Sequence, residues 1–141
     1  MASVNPDLVL ADTGPIVAIL DTSDSQHKTC VEWLRSIRAP LLTCWPVITE
    51  AAWLLRSREQ ATQKLLNGFD QGTFKLLDLT QRDMPAIAAV LARYNSLGLQ
   101  FADASLLHLA NREAINTIFT LDRRDFSVVR QSSGKRLRLI P

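Results

Sequence analysis

Four carboxylates in the chain stand where short apolar segments end or where helices begin. Asp12 and Asp122 each follow a predicted strand, whereas Glu50 and Asp103 lie near the starts of predicted helices. Parallel α/β sheets bind ligands at the carboxyl ends of their strands, so we expect these four side chains to converge there. Asp125, one helical turn after Asp122, is an ambiguous fifth candidate.

Converging carboxylates would repel one another and raise one another's pKa values unless a cation lay among them. A divalent cation removes that cost, and all-oxygen ligation favours Mg²⁺ or Mn²⁺ over zinc. A hard cation of this kind is best suited to phosphate-ester hydrolysis, because it activates a bound water and neutralises charge in the transition state. The acidic pattern therefore indicates a metal-dependent phosphodiesterase.

A simpler interpretation of three of these acids is helix capping. Asp12, Asp103 and Asp122 all lie next to predicted helix starts, where aspartate is commonly only a cap. Glu50 has no such explanation, since its neighbours Val47 to Ala52 are mostly apolar. Neither His27 nor His108 has metal-ligand spacing, and we expect both to be structural. The chain has no glycine-rich nucleotide loop and no serine nucleophile elbow.

The composition is that of an ordinary globular protein. The chain has 141 residues, 47% of them hydrophobic and 21% charged, and we interpret residues 1–141 as a single domain. The net charge of +2 permits a polyanionic partner but does not require one. Without signal-peptide features or an apolar run long enough to cross a membrane, the protein is expected to be soluble and cytoplasmic. Cys30 and Cys44 are expected to be buried thiols.

The hydrophobic pattern predicts the element order β-α-α-β-α-α-β-α-α-β-α-β. Predicted strands cover residues 7–11, 41–44, 73–77, 116–120 and 136–140. Predicted helices cover residues 15–21, a segment capped by Ser23 or Ser25 that stops at Ala39-Pro40, residues 47–57, 58–69, a Thr80/Asp83-capped segment to Tyr94, residues 101–113, and a short piece around 125–129. Strands separated by helices favour parallel pairing. We therefore expect a three-layer α/β/α fold with about five mostly parallel strands and Asp12 near the middle.

Four segments in this order and spacing resemble the PIN-domain family, and specifically the VapC-type toxins of toxin–antitoxin pairs. The resemblance covers essentially the whole chain, and its carriers are residues 10–18, 47–55, 99–107 and 118–126. It implies a parallel sheet flanked by helices and a Mg²⁺- or Mn²⁺-dependent endoribonuclease. One departure is Gly14-Pro15, where many relatives have asparagine or serine; a subset of the family shares this pair.

The resemblance also implies a role for each acid. Asp12 and Asp103 match the principal metal ligands, and Glu50 matches the residue that orients or deprotonates the attacking water. Asp122 matches a fourth, more variable acid, which supports the metal ligands or binds a second metal. Asp125 is a candidate for the same role. Thr120 matches a hydroxyl that lines the site. The basic residues near the C-terminal end are either a solvated face or phosphate contacts, and Arg123 and Arg124 are the candidates for RNA binding.

The implied partners are RNA, a cognate antitoxin and a second copy of the chain. Among Trp33, Trp45 and Trp53, which could form an apolar interface, at least two are expected in the core. Two alternatives remain within the family: a housekeeping nuclease outside a toxin–antitoxin pair, and an RNA-binding module without turnover. A receiver-like signalling domain is a remote alternative, since no lysine ends the fourth predicted strand.

Overall fold

The strand that precedes Asp12 lies in the middle of a five-stranded sheet in the computed structural model, which describes residues 8–141. The strands are β1 (Leu10–Ala11), β2 (Leu41–Thr43), β3 (Phe74–Leu76), β4 (Thr117–Phe119) and β5 (Arg138–Ile140). Their spatial order is β3-β2-β1-β4-β5, and all four pairings are parallel. The predicted central position of the first strand is confirmed.

Seven helices flank the sheet within the described residues, giving the predicted three-layer α/β/α fold. They are α1 (Thr13–Leu20), α2 (His27–Ser36), α3 (Trp45–Leu54), α4 (Ala61–Asp70), α5 (Met84–Arg93), α6 (Phe101–Arg112) and α7 (Arg123–Phe126). Short 3₁₀ turns at Gln81–Asp83 and Asn95–Leu97 precede α5 and α6. None of the helices in residues 8–141 is long and apolar enough to cross a membrane.

The three inner strands are buried along their whole length, whereas the edge strands β3 and β5 are partly exposed. Parallel sheets covered by helices on both faces require such continuous apolar strands. Leu10, Leu41 and Ile118 have no exposed surface. Burial of each such side chain contributes about 1.5–3 kcal/mol. This burial stabilises the central strands β1 and β4, after which Asp12 and Asp122 follow.

Several predicted helix boundaries are wrong. The expected serine cap of α2 is absent, because Ser23 donates to Asp21 instead and the helix begins only at His27. α3 begins at Trp45, two residues early, since Pro46 fits its first turn rather than preceding it. α1 likewise begins two residues early, at Thr13. α4 begins late, at Ala61, after a residue with left-handed backbone. Residue 7, the predicted start of the first strand, lies outside the described residues.

The predicted capping box at Thr80 and Asp83 is confirmed and also joins two helices. The Asp83 Oδ2 accepts the Thr80 N–H at 2.8 Å, and the Thr80 hydroxyl accepts the Arg82 N–H at 3.2 Å. His108 and Arg112 of α6 contact the Asp83 Oδ1 at 2.7 and 3.1 Å. These partners hold the pKa of Asp83 well below its usual range. His108 therefore has a structural contact away from the four acids.

Both cysteines are buried thiols, as predicted. Cys30 and Cys44 have no exposed surface, and neither forms a disulfide. Burial raises the pKa of each thiol to about 11. A neutral thiol is a poor metal ligand. Both thiols belong to the hydrophobic core.

Gly68 fixes how closely α4 packs on β3. A Cβ at this position would lie 2.6 Å from a ring carbon of Phe74, which is 3% exposed. We predict that Gly68→Ala lowers the free energy of unfolding by about 1–2 kcal/mol, because overpacking outweighs the better helix propensity of alanine. Urea denaturation would measure this. Asn67→Ala, at the exposed neighbouring position, should change stability by less than about 0.5 kcal/mol; equal stabilities of the two variants would contradict the prediction.

Candidate active site

The four predicted acids line one cavity of about 540 Å³. The cavity lies at the carboxyl ends of β1 and β4, where the strand order changes direction, which is the usual ligand position in such sheets. Neither lysine, arginine nor histidine is among its described lining residues, which are Asp12, Thr13, Gly14, Glu50, Leu54, Gln100, Asp103, Leu121 and Asp122. Asp125 instead lines a neighbouring cavity with Asp122. The structure therefore brings the quartet together and places the fifth acid beside it.

Three of the acids also act as the helix caps that the simpler interpretation predicts. Asp12 is the N-cap of α1, and Asp122 is the N-cap of α7, accepting the Asp125 N–H at 3.3 Å. Asp103 lies in the first turn of α6 and accepts the Gln100 N–H at 3.0 Å. Capping and convergence therefore occur together, because each helix begins at the edge of the sheet where the cavity lies.

Glu50 reaches the cavity from the middle of α3 and caps no helix. Its side chain is exposed. The Thr13 hydroxyl donates to the Glu50 Oε2 at 3.2 Å, which joins α1 to α3. Glu50 is thus an exposed acid that, unlike the three aspartates, accepts no backbone N–H among the described residues.

Asp12 is the most buried acid of the cavity, at 7% exposure. Burial raises the pKa of its carboxyl to about 6, and the carboxylates of Asp103 and Glu50 add to this, while hydrogen bonds from Thr13 and Thr120 oppose it. Burial likewise raises the pKa of Asp103, with further contributions from neighbouring carboxylates. The negative charges of the cavity therefore lack compensation from protein cations.

Thr120 connects two of the acids. Its hydroxyl donates to the Asp12 Oδ2 at 2.8 Å and accepts the Asp122 N–H at 2.9 Å. The Asp12 Oδ1 accepts the Thr13 N–H at 2.8 Å. Both oxygens of the buried carboxylate thus have neutral donors, and the loop after β4 is fixed to the loop after β1. The resemblance to the PIN-domain family implied that Thr120 lines the site.

A family model described as "PIN domain" matches residues 9–131. The chain belongs to the PIN-domain family. A relative named ribonuclease VapC26, from Mycobacterium tuberculosis, is 28% identical over 135 residues, which are 94% of this chain and 100% of that protein.

Solved structures with this fold include VapC20 of Mycobacterium tuberculosis, described as a sarcin-ricin loop cleaving toxin. It has a TM-score of 0.75 and 18% identity, over 82% of this chain and 91% of that chain. VapBC2 of Rickettsia felis, bound to a DNA fragment from its promoter, has a TM-score of 0.64 and 14% identity, covering 94% and 97% of the two chains. DNA-bound VapBC of Salmonella typhimurium has a TM-score of 0.61 and 12% identity, covering 94% of this chain and 96% of that chain. These similarities support the predicted fold.

The donor set of this PIN domain fits a hard divalent cation. All the side-chain donors among the cavity's described residues are oxygens, apart from the amide of Gln100. Across residues 8–141, no three histidine, cysteine or acidic side chains are grouped closely enough to enclose one ion. A cation in the cavity would complete its coordination with waters, as Mg²⁺ commonly does. This geometry suits a centre that must also supply a reactive water.

Sequence reasoning gave no role to several residues that line the acidic cavity. Thr13 is the most consequential, since it contacts both Asp12 and Glu50. The sequence feature that could have identified Thr13 is its hydroxyl side chain, directly after Asp12. Gly14 adds no side chain to the cavity, and a Cβ there would lie 3.3 Å from the Leu121 side chain. The small residue thus lets Leu121 pack against the turn after Asp12.

The two arginines predicted to contact RNA have different surroundings. Both are exposed and lie in α7, directly after Asp122. The Arg123 Nη1 donates to the carbonyl oxygen of Pro141. Arg124 lines the neighbouring cavity with Asp122 and Asp125. Arg124 is therefore the better placed of the two for contact with a ligand near the acids.

An apolar groove of about 590 Å³ adjoins the acidic cavity and shares Glu50 and Gln100 with it. We define the apolar groove by its large side chains, Trp45, Trp53, Met84 and Phe101. Trp45 is 55% exposed and Trp53 is 63% exposed. The expectation that at least two tryptophans lie in the core is therefore wrong, because Trp33 alone of the three packs against it.

The buried charge of Asp12 gives a pH-dependent effect on stability. The folded-state pKa of about 6 exceeds the ordinary value of 3.8, so the folded state binds more protons between these values and stability falls as pH rises through them. In EDTA near neutral pH, we predict that Asp12→Asn stabilises the protein by about 1–2 kcal/mol. Thermal unfolding against pH would measure this.

The stabilisation should shrink as pH falls through about 6 and disappear below 3.8, where wild-type Asp12 is neutral in both the folded and the unfolded state. Asp70→Asn is a matched control, because Asp70 is an exposed acid at the end of α4. A destabilised Asp12→Asn variant near neutral pH would contradict the predicted sign.

Proposed function

We propose that this PIN domain is a Mg²⁺- or Mn²⁺-dependent endoribonuclease and the toxin of a VapBC-type toxin–antitoxin pair. The observation that carries the proposal is the cavity in which Asp12, Glu50, Asp103 and Asp122 meet, with no lysine, arginine or histidine among its described lining residues. The likeness to a protein named a ribonuclease, over nearly the whole of both chains, supports RNA as the substrate. A hard cation would remove the repulsion and supply charge for a phosphodiester.

Asp12 and Asp103 are the proposed metal ligands. Both have carboxyl pKa values raised by burial and by neighbouring acids, so both gain most from a cation. When bound, the cation would neutralise a nonbridging phosphate oxygen and activate a water. Thr120 holds the Asp12 carboxylate in place from the side of β4. Asp122 and Asp125 are proposed to support these ligands or a second ion.

Glu50 is the proposed proton acceptor. It is exposed, it borders the cavity, and its Oε1 has no protein hydrogen-bond partner among the described residues, whereas its Oε2 accepts the Thr13 hydroxyl. A carboxylate held in this way can orient a water and take its proton. Arg124, and with it Arg123, is proposed to contact the phosphates that flank the cleaved bond.

The metal-dependent ribonuclease is tested by cleavage of structured and messenger RNA in Mg²⁺, Mn²⁺ and EDTA. We predict that Asp12→Asn and Asp103→Asn each lower the rate by at least about 100-fold, since each removes a charged ligand of the reacting centre. Asp70→Asn, which changes an acid outside the cavity, should cleave as the wild type does. Retained cleavage by both cavity variants, or full activity in EDTA, would refute the proposed mechanism.

The antitoxin partner is proposed from the two VapBC complexes among the solved structures with this fold. Expression of the wild type should arrest growth, and a small protein encoded beside the gene should relieve the arrest. Asp103→Asn should not arrest growth. Rapid growth of cells that hold active wild-type enzyme would favour the housekeeping nuclease, whereas RNA binding without cleavage would favour the binding module.

A homodimer through the apolar groove is also proposed. Five large side chains at or beside the groove are roughly half exposed: Trp45, Trp53, Leu54, Met84 and Phe101. Aromatic side chains bury 150–250 Å² each, so this set would bury roughly 500 Å² per protomer. Two such faces give roughly 1,000 Å², which is near the lower limit for a specific interface. Because the groove shares Glu50 with the cavity, the two sites of the dimer would lie near one another.

We predict that Trp53→Lys converts a dimer into a monomer, because the substitution replaces the most exposed aromatic side chain of the apolar groove with a charged one. Sedimentation equilibrium at micromolar concentrations would measure the mass. Leu66→Lys is the control, since Leu66 is 50% exposed on α4 and does not line the groove. A monomeric wild type, or a dimer that survives Trp53→Lys, would argue against this interface.

A further inference from the structure

Thr13, like Thr120, contacts two acids of the cavity, and of these two threonines it is the one that contacts Glu50. Its N–H donates to the Asp12 Oδ1 at 2.8 Å, and its hydroxyl donates to the Glu50 Oε2 at 3.2 Å. It is 5% exposed and is the first residue of α1. The backbone contact is independent of the side chain. The hydroxyl contact therefore affects Glu50 separately from Asp12.

Glu50 needs an external constraint to have one orientation. It is an exposed residue of α3, and the Thr13 hydroxyl is the protein hydrogen-bond donor to its carboxylate among residues 8–141. A free glutamate side chain samples several rotamers, and holding it in one of them costs conformational entropy. A hydrogen bond to a charged group is stronger than one between neutral groups and opposes that cost. This single contact can therefore decide whether Glu50 is ordered.

We propose that Thr13 is a positioning residue that orients Glu50 towards the attacking water. The inference rests on the proposed ribonuclease function. The water oxygen forms the new bond to phosphorus while its proton passes to the Glu50 Oε1. The bond from phosphorus to the leaving ribose oxygen breaks, and that oxygen keeps the electron pair and takes a proton from solvent. The Thr13 hydroxyl keeps its own proton throughout and fixes the other oxygen of Glu50.

Thr13→Val and Thr13→Ser separate the hydroxyl from the rest of the side chain. Valine keeps the branched shape and the backbone N–H but loses the donor, whereas serine keeps the donor. We expect Thr13→Val to lower kcat roughly 10- to 100-fold, as misplaced catalytic groups do. KM and the Mn²⁺ dissociation constant measured by calorimetry should stay within about twofold, and Thr13→Ser should retain most of kcat.

A double-mutant cycle tests whether Thr13 acts through Glu50. In a Glu50→Gln background, Thr13→Val should cause little further loss of kcat, because the group it positions no longer accepts a proton. Independent, multiplicative losses would overturn the proposal. So would equal loss in Thr13→Ser and Thr13→Val, or weaker Mn²⁺ binding by Thr13→Val, since these indicate a role in packing or in the Asp12 ligand. Thermal unfolding would establish that each variant is folded.

A structural readout separates failure of this inference from failure of the proposed function. Crystal structures of wild type and Thr13→Val should show the Glu50 carboxylate ordered against Thr13 in the first and displaced or disordered in the second. An unchanged Glu50 would overturn the inference even in an active enzyme. Absence of RNA cleavage by the wild type would instead refute the proposed ribonuclease function. The two crystal structures would still show whether Thr13 orients Glu50.

Discussion

The burial of one carboxylate at the centre of the sheet is the constraint on which the site depends. Asp12 follows the middle strand and is 7% exposed, so its charge is held where water solvates it poorly. Two neutral donors, the Thr13 N–H and the Thr120 hydroxyl, partly compensate for this. They come from the start of α1 and the loop after β4. The same two contacts therefore stabilise the buried charge and fix the two loops that border the cavity.

The choice of neutral donors matters for the chemistry. An arginine or lysine beside Asp12 would stabilise its charge better in the isolated protein, but would also cancel the negative potential of the cavity. Threonine hydroxyls and backbone N–H groups orient the carboxylates and leave their net charge in place. Asp83 shows a different arrangement, since the Thr80 N–H, His108 and Arg112 all contact its carboxyl and together lower its pKa. Arg112 thus lies beside a structural acid, whereas no arginine or lysine is among the described residues that line the acidic cavity.

Sequence patterns predicted the order of elements and the central place of Asp12, because continuous apolar strands separated by amphipathic helices leave few alternative topologies. Sequence patterns failed where the same residues are compatible with two local structures. The N–H and hydroxyl of Ser23 both donate to the Asp21 carboxylate, so Ser23 does not cap α2. The apolar residues of α3 do not reveal which face the sheet covers, so the exposure of Trp45 and Trp53 was missed. The link from Thr13 to Glu50 joins two helices and has no signature in either segment.

The capping and catalytic interpretations of the aspartates are compatible, and this makes Glu50 the informative acid. Helices that follow parallel strands begin at the carboxyl edge of the sheet, so any aspartate that caps one already lies near a ligand site. Capping alone would thus account for Asp12, Asp103 and Asp122. It does not account for Glu50, which lies inside α3, caps nothing and yet faces the same cavity. Glu50 also borders the apolar groove, so whatever binds there meets an exposed acid of the cavity.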